Sequence, residues 1–269
     1  MPSNIHPTAV IEGDVEIAKD VTIGPYCLIR GNIKIGSGTK LLSHVVVLGN
    51  TFIGEGNILY PFASIGAPPQ SLRYKGEPSQ LKIGNFNVIR EYVTIQPGTE
   101  IGGMETVIGS NNLFMAGSHV AHDCKVGDRN ILANNVGLSG HVEVQNCVVL
   151  GGLSGVHQFC RIGSFAFVAG GAMVRQDVPP FFSVHGDSAE AFGLNLVGLK
   201  RNNFSPDEIV LIKKIFKIFY LSGKLLEERV QQIKALVKEL DEKQSQIVSM
   251  FLHFIEHSKR GVVRYVRKK

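Results

Sequence analysis

The chain has no tryptophan, only four cysteines and no run of about 18 apolar residues. Without such a run no membrane-spanning helix is expected. The N-terminal stretch MPSNIHPTAVIEGD lacks the basic segment and apolar run of a secretory leader, so the cytoplasm is the expected compartment. The cysteines include no Cys-x-x-Cys pair, which suits reduced thiols rather than a redox or metal motif. Acidic residues are absent from one place. The last eleven residues, KRGVVRYVRKK, hold Lys259, Arg260, Arg264, Arg267, Lys268 and Lys269 and no carboxylate. The net charge of +5 is therefore local, and the rest of the chain carries about −1. A basic tail of this kind suits an acidic protein, a nucleic acid, an anionic membrane surface or plain solvation.

With 44% hydrophobic residues among 269, the chain can bury an ample core in one large domain or two smaller ones. Its dominant feature is a period of six. From Ile5 the sequence reads IHPTAV, IEGDVE, IAKDVT, IGPYCL, IRGNIK, IGSGTK, LLSHVV, VLGNTF, IGEGNI, LYPFAS and IGAPPQ. First positions are aliphatic, second positions often Gly, and fifth positions small or β-branched, as at Ala9, Val21, Cys27, Thr39 and Ala63. The register returns at Ile83 and again at Ile108, from which twelve unbroken hexads run over 108–179. A hexapeptide period of this kind predicts a mainly β fold, a parallel β-helix whose coils cover one another's apolar rows.

Cys27, Cys124 and Cys160 fall at inward fifth positions and Cys147 at a fourth, so all four are expected to be buried and reduced. Asn112 and Asn130, eighteen apart at fifth positions, are expected to stack as an internal amide ladder. Two interruptions, at about 67–80 and 101–107, should leave the β-helix wall. The first is proline-rich and carries Arg73, Tyr74 and Lys75. Beyond Pro179-Pro180 the pattern is helical. Ser205-Pro206-Asp207-Glu208 opens a run to Ser222 that Gly223 ends, and two more helices are expected at about 225–240 and 245–257. The expected domains are a β-helix over 1–190 and a helical domain over 191–269.

The segment GSHVAHDC, 117–124, concentrates the candidate chemistry. His122, His141 and His157 lie in hexads whose starts are eighteen residues apart, so they share one face on three successive coils, spaced roughly 4.8 Å per coil. His119 sits at the corner before that face. Three readings compete for this cluster. It could be a solvated wall, or a zinc site, although these histidines occupy the third, fourth and second positions of their hexads and need not point alike. The third reading is general-base catalysis, with His122 taking a proton from an attacking hydroxyl and Asp123 orienting the ring. Nearby glycines leave room for substrate and offer backbone N–H groups to an oxyanion.

The hexads resemble the left-handed β-helix of the hexapeptide acyltransferases. The segments IHPTAV, FASIGAPPQSLRYKGEP, SHVAHDC, LSGHV, VHQFC, QDVPP and GLNLVGLKR resemble the UDP-N-acetylglucosamine acyltransferase family over nearly the whole chain. That resemblance implies transfer of an (R)-3-hydroxyacyl group from acyl carrier protein to the 3-hydroxyl of UDP-N-acetylglucosamine, the opening step of lipid A synthesis. It implies His122 as general base, Asp123 as its partner and the Gly140 N–H as oxyanion donor. His119, His141, His157 and Gln158 would line the substrate groove. Gln70 and Arg73 would reach it from a neighbouring subunit of a homotrimer, Ser71 between them would bind substrate, and Asn195 and Arg201 would join from the segment before the helices. No metal, cofactor, nucleic acid partner or integral membrane segment is implied. The chain departs from the family pattern at Ser71, Arg73, Val197 and Asn202, where Asp, Lys, Glu and Arg occur. Gly170 matches a position where bulk limits acyl length, so a donor of about fourteen carbons is expected over one of about ten.

Overall fold

In the computed structural model, which describes residues 4–266, each hexad builds one short strand and one corner. First and fifth positions point inward. Ile23, Leu41, Leu59, Val120 and Leu138 at first positions are buried, as are Val21, Val45, Val93 and Val136 at fifth positions. Fourth positions make the turn: Tyr26, His44, Phe62, Tyr92, Asp123 and His141 all take left-handed backbone, with φ between 55° and 66°. That conformation costs an L-residue roughly 1–2 kcal/mol. A hydrogen bond to the coil below offsets it, as where His44 N donates to Pro25 O and His141 N to His122 O, both at 3.0 Å.

Equivalent positions of successive coils pair in parallel. His119 lies opposite Gly137, Gly137 opposite Gly155 and Gly155 opposite Met173 on one face, while Lys125, Glu143 and Arg161 align on the next. The result is a left-handed β-helix with three faces, a triangular prism. Near the N-terminus the strands Val10–Ile17, Leu28–Ile35 and Val46–Ile53 run continuously around one corner. They turn it at Gly13, Gly31 and Gly49, and a side chain on Gly31 would collide with the Gly49 carbonyl.

The expected amide ladder is present and longer than the sequence spacing indicates. Asn87 Nδ2 donates to Asn57 Oδ1 and Asn112 Nδ2 to Asn87 Oδ1, both at 3.0 Å, and Asn130 N donates to Asn112 Oδ1 at 2.8 Å. The two insertions hide the first pairs from a search at eighteen residues. Their edges also differ from expectation. Gln80 already belongs to strand Gln80–Ile83, and 105–107 lie in strand Glu105–Ile108, where Thr106 and Ile108 turn inward. The four cysteines are free and buried. Burial pushes the Cys124 thiol up to about 12 and the Cys160 thiol up to about 11.

Strand Phe182–His185 extends one face and pairs antiparallel with Glu190–Leu194, after which the chain becomes helical. The helices are α1 (Leu196–Arg201), α2 (Pro206–Phe216), α3 (Leu226–Ala235) and α4 (Glu242–Glu256). Helix α2 starts where expected, with a Ser205/Glu208 capping box and Pro206 in its first turn, and a π-helical segment Lys217–Leu221 continues it toward Gly223. Helix α4 begins three residues before the expected Ser245, because Asp241 caps it by accepting from Gln244 N. Phe182, Phe216, Phe219 and Phe251 form the core that binds these helices to the last coil. The basic C-terminal segment returns to the prism through bridges from Asp177 to Val262 and from Ala191 to Tyr265. Arg267, Lys268 and Lys269 lie outside the described residues.

Candidate active site

The hexad columns place the chemistry. His122 is a third-position residue, with Gly140 and Gln158 above it in the same column, while Asp123, His141 and Phe159 form the fourth-position column beside it. Asp123 N donates to Thr106 Oγ1 at 2.8 Å, which sets the carboxylate beneath the histidines. Its side chain is fully buried and accepts from Thr99 N at 2.8 Å, Thr99 Oγ1 at 2.6 Å and His122 Nδ1 at 2.7 Å. An ionised carboxylate only accepts, so His122 carries its proton on Nδ1 and keeps a lone pair on Nε2.

Thr99, Thr106 and Gly102 are the supporting residues that sequence reasoning missed. The 3-10 turn Glu100–Gly102 folds over the carboxylate so closely that a side chain on Gly102 would overlap it. The only signal in the sequence was the broken register at 101–107. The turn thus excludes water from Asp123, while the His122 side chain remains 15% exposed.

Gly140 is buried, and a Cβ added to it would fall 2.6 Å from His122 Cε1 and 2.9 Å from Nε2. The backbone at Gly140 therefore lies against the ring edge that carries the lone pair. Its N–H donates to no acceptor among the described residues. The His141 ring meets that of His122 edge-on at 5.2 Å and stacks on Phe159 at 4.4 Å. Burial lowers the His141 pKa, against the raising effect of Asp123. His119 Nδ1 is 2.6 Å from Thr94 Oγ1, and burial and then His122 lower its pKa.

Two clefts meet at His122. The first is lined by Gln70, Gln96, His119, Gly140, His157 and Gln158, and the second by Ser71, Arg73, Thr99, His141, Gln158 and Phe159. The proline-rich loop lies beside its own chain's His122 within one subunit. Hydrogen bonds from Tyr74 Oη to Glu77 O at 3.1 Å and from Glu100 N to Glu77 Oε1 at 3.4 Å fold it back. Gly170, Asn195 and Arg201 line neither cleft. The Asn195 amide is occupied elsewhere: Oδ1 accepts from Gly198 N as the cap of α1, and Nδ2 donates to Phe165 O. As a cap it positions the helix ending in exposed Arg201.

His122, Asp123 and His141 offer three donor atoms within 4.8 Å of one another, so the zinc reading bears testing. Tetrahedral zinc holds its ligand atoms about 3.3 Å apart. His122 Nδ1 and Asp123 Oδ2, at 2.7 Å, are instead bonded to each other, and Thr99 donates once to each carboxylate oxygen. The donor set fits a hydrogen-bonded dyad rather than a metal site.

Residues 177–263 match the family described as UDP N-acetylglucosamine O-acyltransferase, domain 2, and residues 105–140 match the bacterial transferase hexapeptide. A relative from Janthinobacterium sp. (strain Marseille), named acyl-[acyl-carrier-protein]--UDP-N-acetylglucosamine O-acyltransferase, is 50% identical over 97% of this chain and 100% of its own length. One of the same name from Herminiimonas arsenicoxydans is 48% identical with the same coverage. The crystal structure of the Francisella novicida UDP-N-acetylglucosamine acyltransferase superimposes with a TM-score of 0.92 at 39% identity, over 97% of this chain and 94% of that one. The UDP-N-acetylglucosamine O-acyltransferase from Moraxella catarrhalis gives 0.92 at 43%, over 97% and 99%. Identity of this extent along both full lengths, on a shared fold, makes the chain a member of the UDP-N-acetylglucosamine O-acyltransferase family.

Proposed function

We propose that the protein transfers an (R)-3-hydroxyacyl group from acyl carrier protein to the 3-hydroxyl of UDP-N-acetylglucosamine, the first step of lipid A synthesis. The observation that carries this reading is the His122–Asp123 dyad beside Gly140, in a chain half identical to enzymes named for acyl transfer to that sugar nucleotide. In this mechanism His122 Nε2 removes the proton from the sugar hydroxyl as its oxygen attacks the thioester carbonyl. Asp123 stabilises the imidazolium, and the Gly140 N–H receives the oxyanion of the tetrahedral intermediate. Collapse breaks the carbon–sulfur bond, and the proton held on His122 passes to the departing thiol of the carrier. Ester and free carrier thiol are the products. The thioester is already activated, so no cofactor enters.

We assign Gln70, Ser71, Arg73, His119, His141, His157 and Gln158 to substrate binding because they line the clefts that meet at His122. Gly170, Asn195 and Arg201, outside those clefts, are assigned to completing the site in a homotrimer. The division into a β-helix over 1–190 and a helical domain over 191–269 is kept as part of this proposal. No described helix is long and apolar enough to cross a membrane. The free, buried thiols support the cytoplasm as the place of action. Product analysis tests the reaction: mass spectrometry after incubation with both substrates should find an alkali-labile ester on the sugar. An amide on the 3-amino analogue alone would refute the hydroxyl acceptor.

A further inference from the structure

The segment 258–266 is not a free tail. Ser258 Oγ donates to the buried Asp177 Oδ2 at 2.7 Å, Asp177 N to Gly261 O at 2.8 Å, Val263 N to Asp177 O at 3.0 Å and Ala191 N to Arg264 O at 2.7 Å. Gly261 turns the chain with φ 71°, a conformation glycine adopts without a steric cost. The turn carries Arg260 to the edge of the first cleft. Its Nη2 lies 3.4 Å from Arg175 O and 3.3 Å from Nδ1 of His157. His157 and Arg175 both line that cleft.

The same His157 Nδ1 lies 3.2 Å from Gln158 O. These two neighbours require opposite states of one nitrogen. A carbonyl oxygen accepts, so it favours a proton on Nδ1. A guanidinium only donates and stays charged, so it requires a lone pair there. The ring has a single proton when neutral, and the choice at Nδ1 fixes the state of Nε2.

We propose that Arg260 is a positioning residue that holds His157 in the tautomer with Nδ1 unprotonated and Nε2 bearing the proton. The first cleft then receives a hydrogen-bond donor from this ring, suited to a carbonyl or phosphate oxygen of a bound substrate. His122, whose proton is fixed on Nδ1 by Asp123, is held in the opposite tautomer, so one cleft contains a base and a donor made from the same residue type. The inference rests on reading this cleft as the substrate site.

The test is nitrogen NMR of protein labelled with 15N-histidine, the His157 signals being assigned by their loss in His157→Gln. The parent protein should show Nδ1 unprotonated. In Arg260→Met the Gln158 carbonyl is the remaining partner, and the tautomer ratio should swing toward Nδ1–H by about tenfold or more, the worth of a charge-assisted hydrogen bond. Arg260→Lys keeps a cationic donor and should retain part of the parental ratio. Transfer activity should fall in the order parent, Lys, Met. An unchanged tautomer in Arg260→Met would overturn the inference, even with activity lost, because the side chain would then act by binding or packing. A proton on Nδ1 in the parent would overturn it without any variant, so the test survives a variant that fails to fold. A tautomer swing in a protein inactive on both substrates would support the inference and count against the functional reading.

Discussion

Replacing Asp123 by Asn changes one atom and should disable the base. The carboxylate accepts from Thr99 N on Oδ1, and from Thr99 Oγ1 and His122 Nδ1 on Oδ2. An amide can sit there in two ways. With its oxygen toward Thr99 N, its NH2 faces His122 Nδ1, which must then accept, and the ring proton moves to Nε2 where no base remains. With its oxygen toward His122, the NH2 meets the Thr99 N–H head-on, and the unpaired buried donor costs about 1–3 kcal/mol. Reaching the active arrangement through that second orientation slows the reaction by a factor of about 5–150. In either orientation the imidazolium loses a neighbouring anion. That attraction is about 4 kcal/mol for charges about 4 Å apart at an effective dielectric of about 20. The combined loss in kcat/KM should be about 10⁴–10⁵-fold. Steady-state transfer with acyl carrier protein donors, beside a thermal melt, measures it. A folded Asp123→Asn enzyme within tenfold of the parent would refute the reasoning.

Gly140→Ala should place a methyl 2.6 Å from His122 Cε1 and turn the ring out of line, lowering the rate about a hundredfold with little change in melting temperature; a parental rate would show that the ring does not need its present place. Gly170→Met should shift donor preference toward shorter acyl chains, read by competition between 3-hydroxyacyl carrier proteins, and an unchanged preference would remove Gly170 from the groove. Asn112→Ala orphans the Asn130 N–H and the Gly127 carbonyl inside the prism. It should cost about 1–3 kcal/mol of stability, seen in denaturant unfolding, while activity of the folded fraction persists. Exhaustive dialysis against EDTA should leave transfer unchanged, because His122 Nδ1 and Asp123 are bonded to each other and Asp123 also accepts from Thr99. A metal-restorable loss would reverse that reading.

The hexads made the coil register legible, and with it the columns in which His122 lies under Gly140 and Asp123 beside it. Side-chain period alone carries that information. It stops where the period stops. Thr99 and the turn over Asp123 come from an interruption, whose path depends on a contact with a residue 24 positions away rather than on any local pattern. Helix α1 has no counterpart in the sequence reading because six residues give too little periodicity to mark a helix. The start of α4 was placed late because the cap, Asp241, precedes its apolar positions. The charge of the C-terminal residues leaves their partner open in the sequence and obscures Val263, which is buried against the prism.

The most direct measurement of the central claim is the single-turnover transfer rate of His122→Ala at saturating substrate, with folding checked by a thermal melt. If His122 removes the hydroxyl proton, the rate should fall by about 10²–10⁴-fold or more while the melt stays near the parent's. A folded variant that still transfers at a rate within a few-fold of the parent would contradict the account.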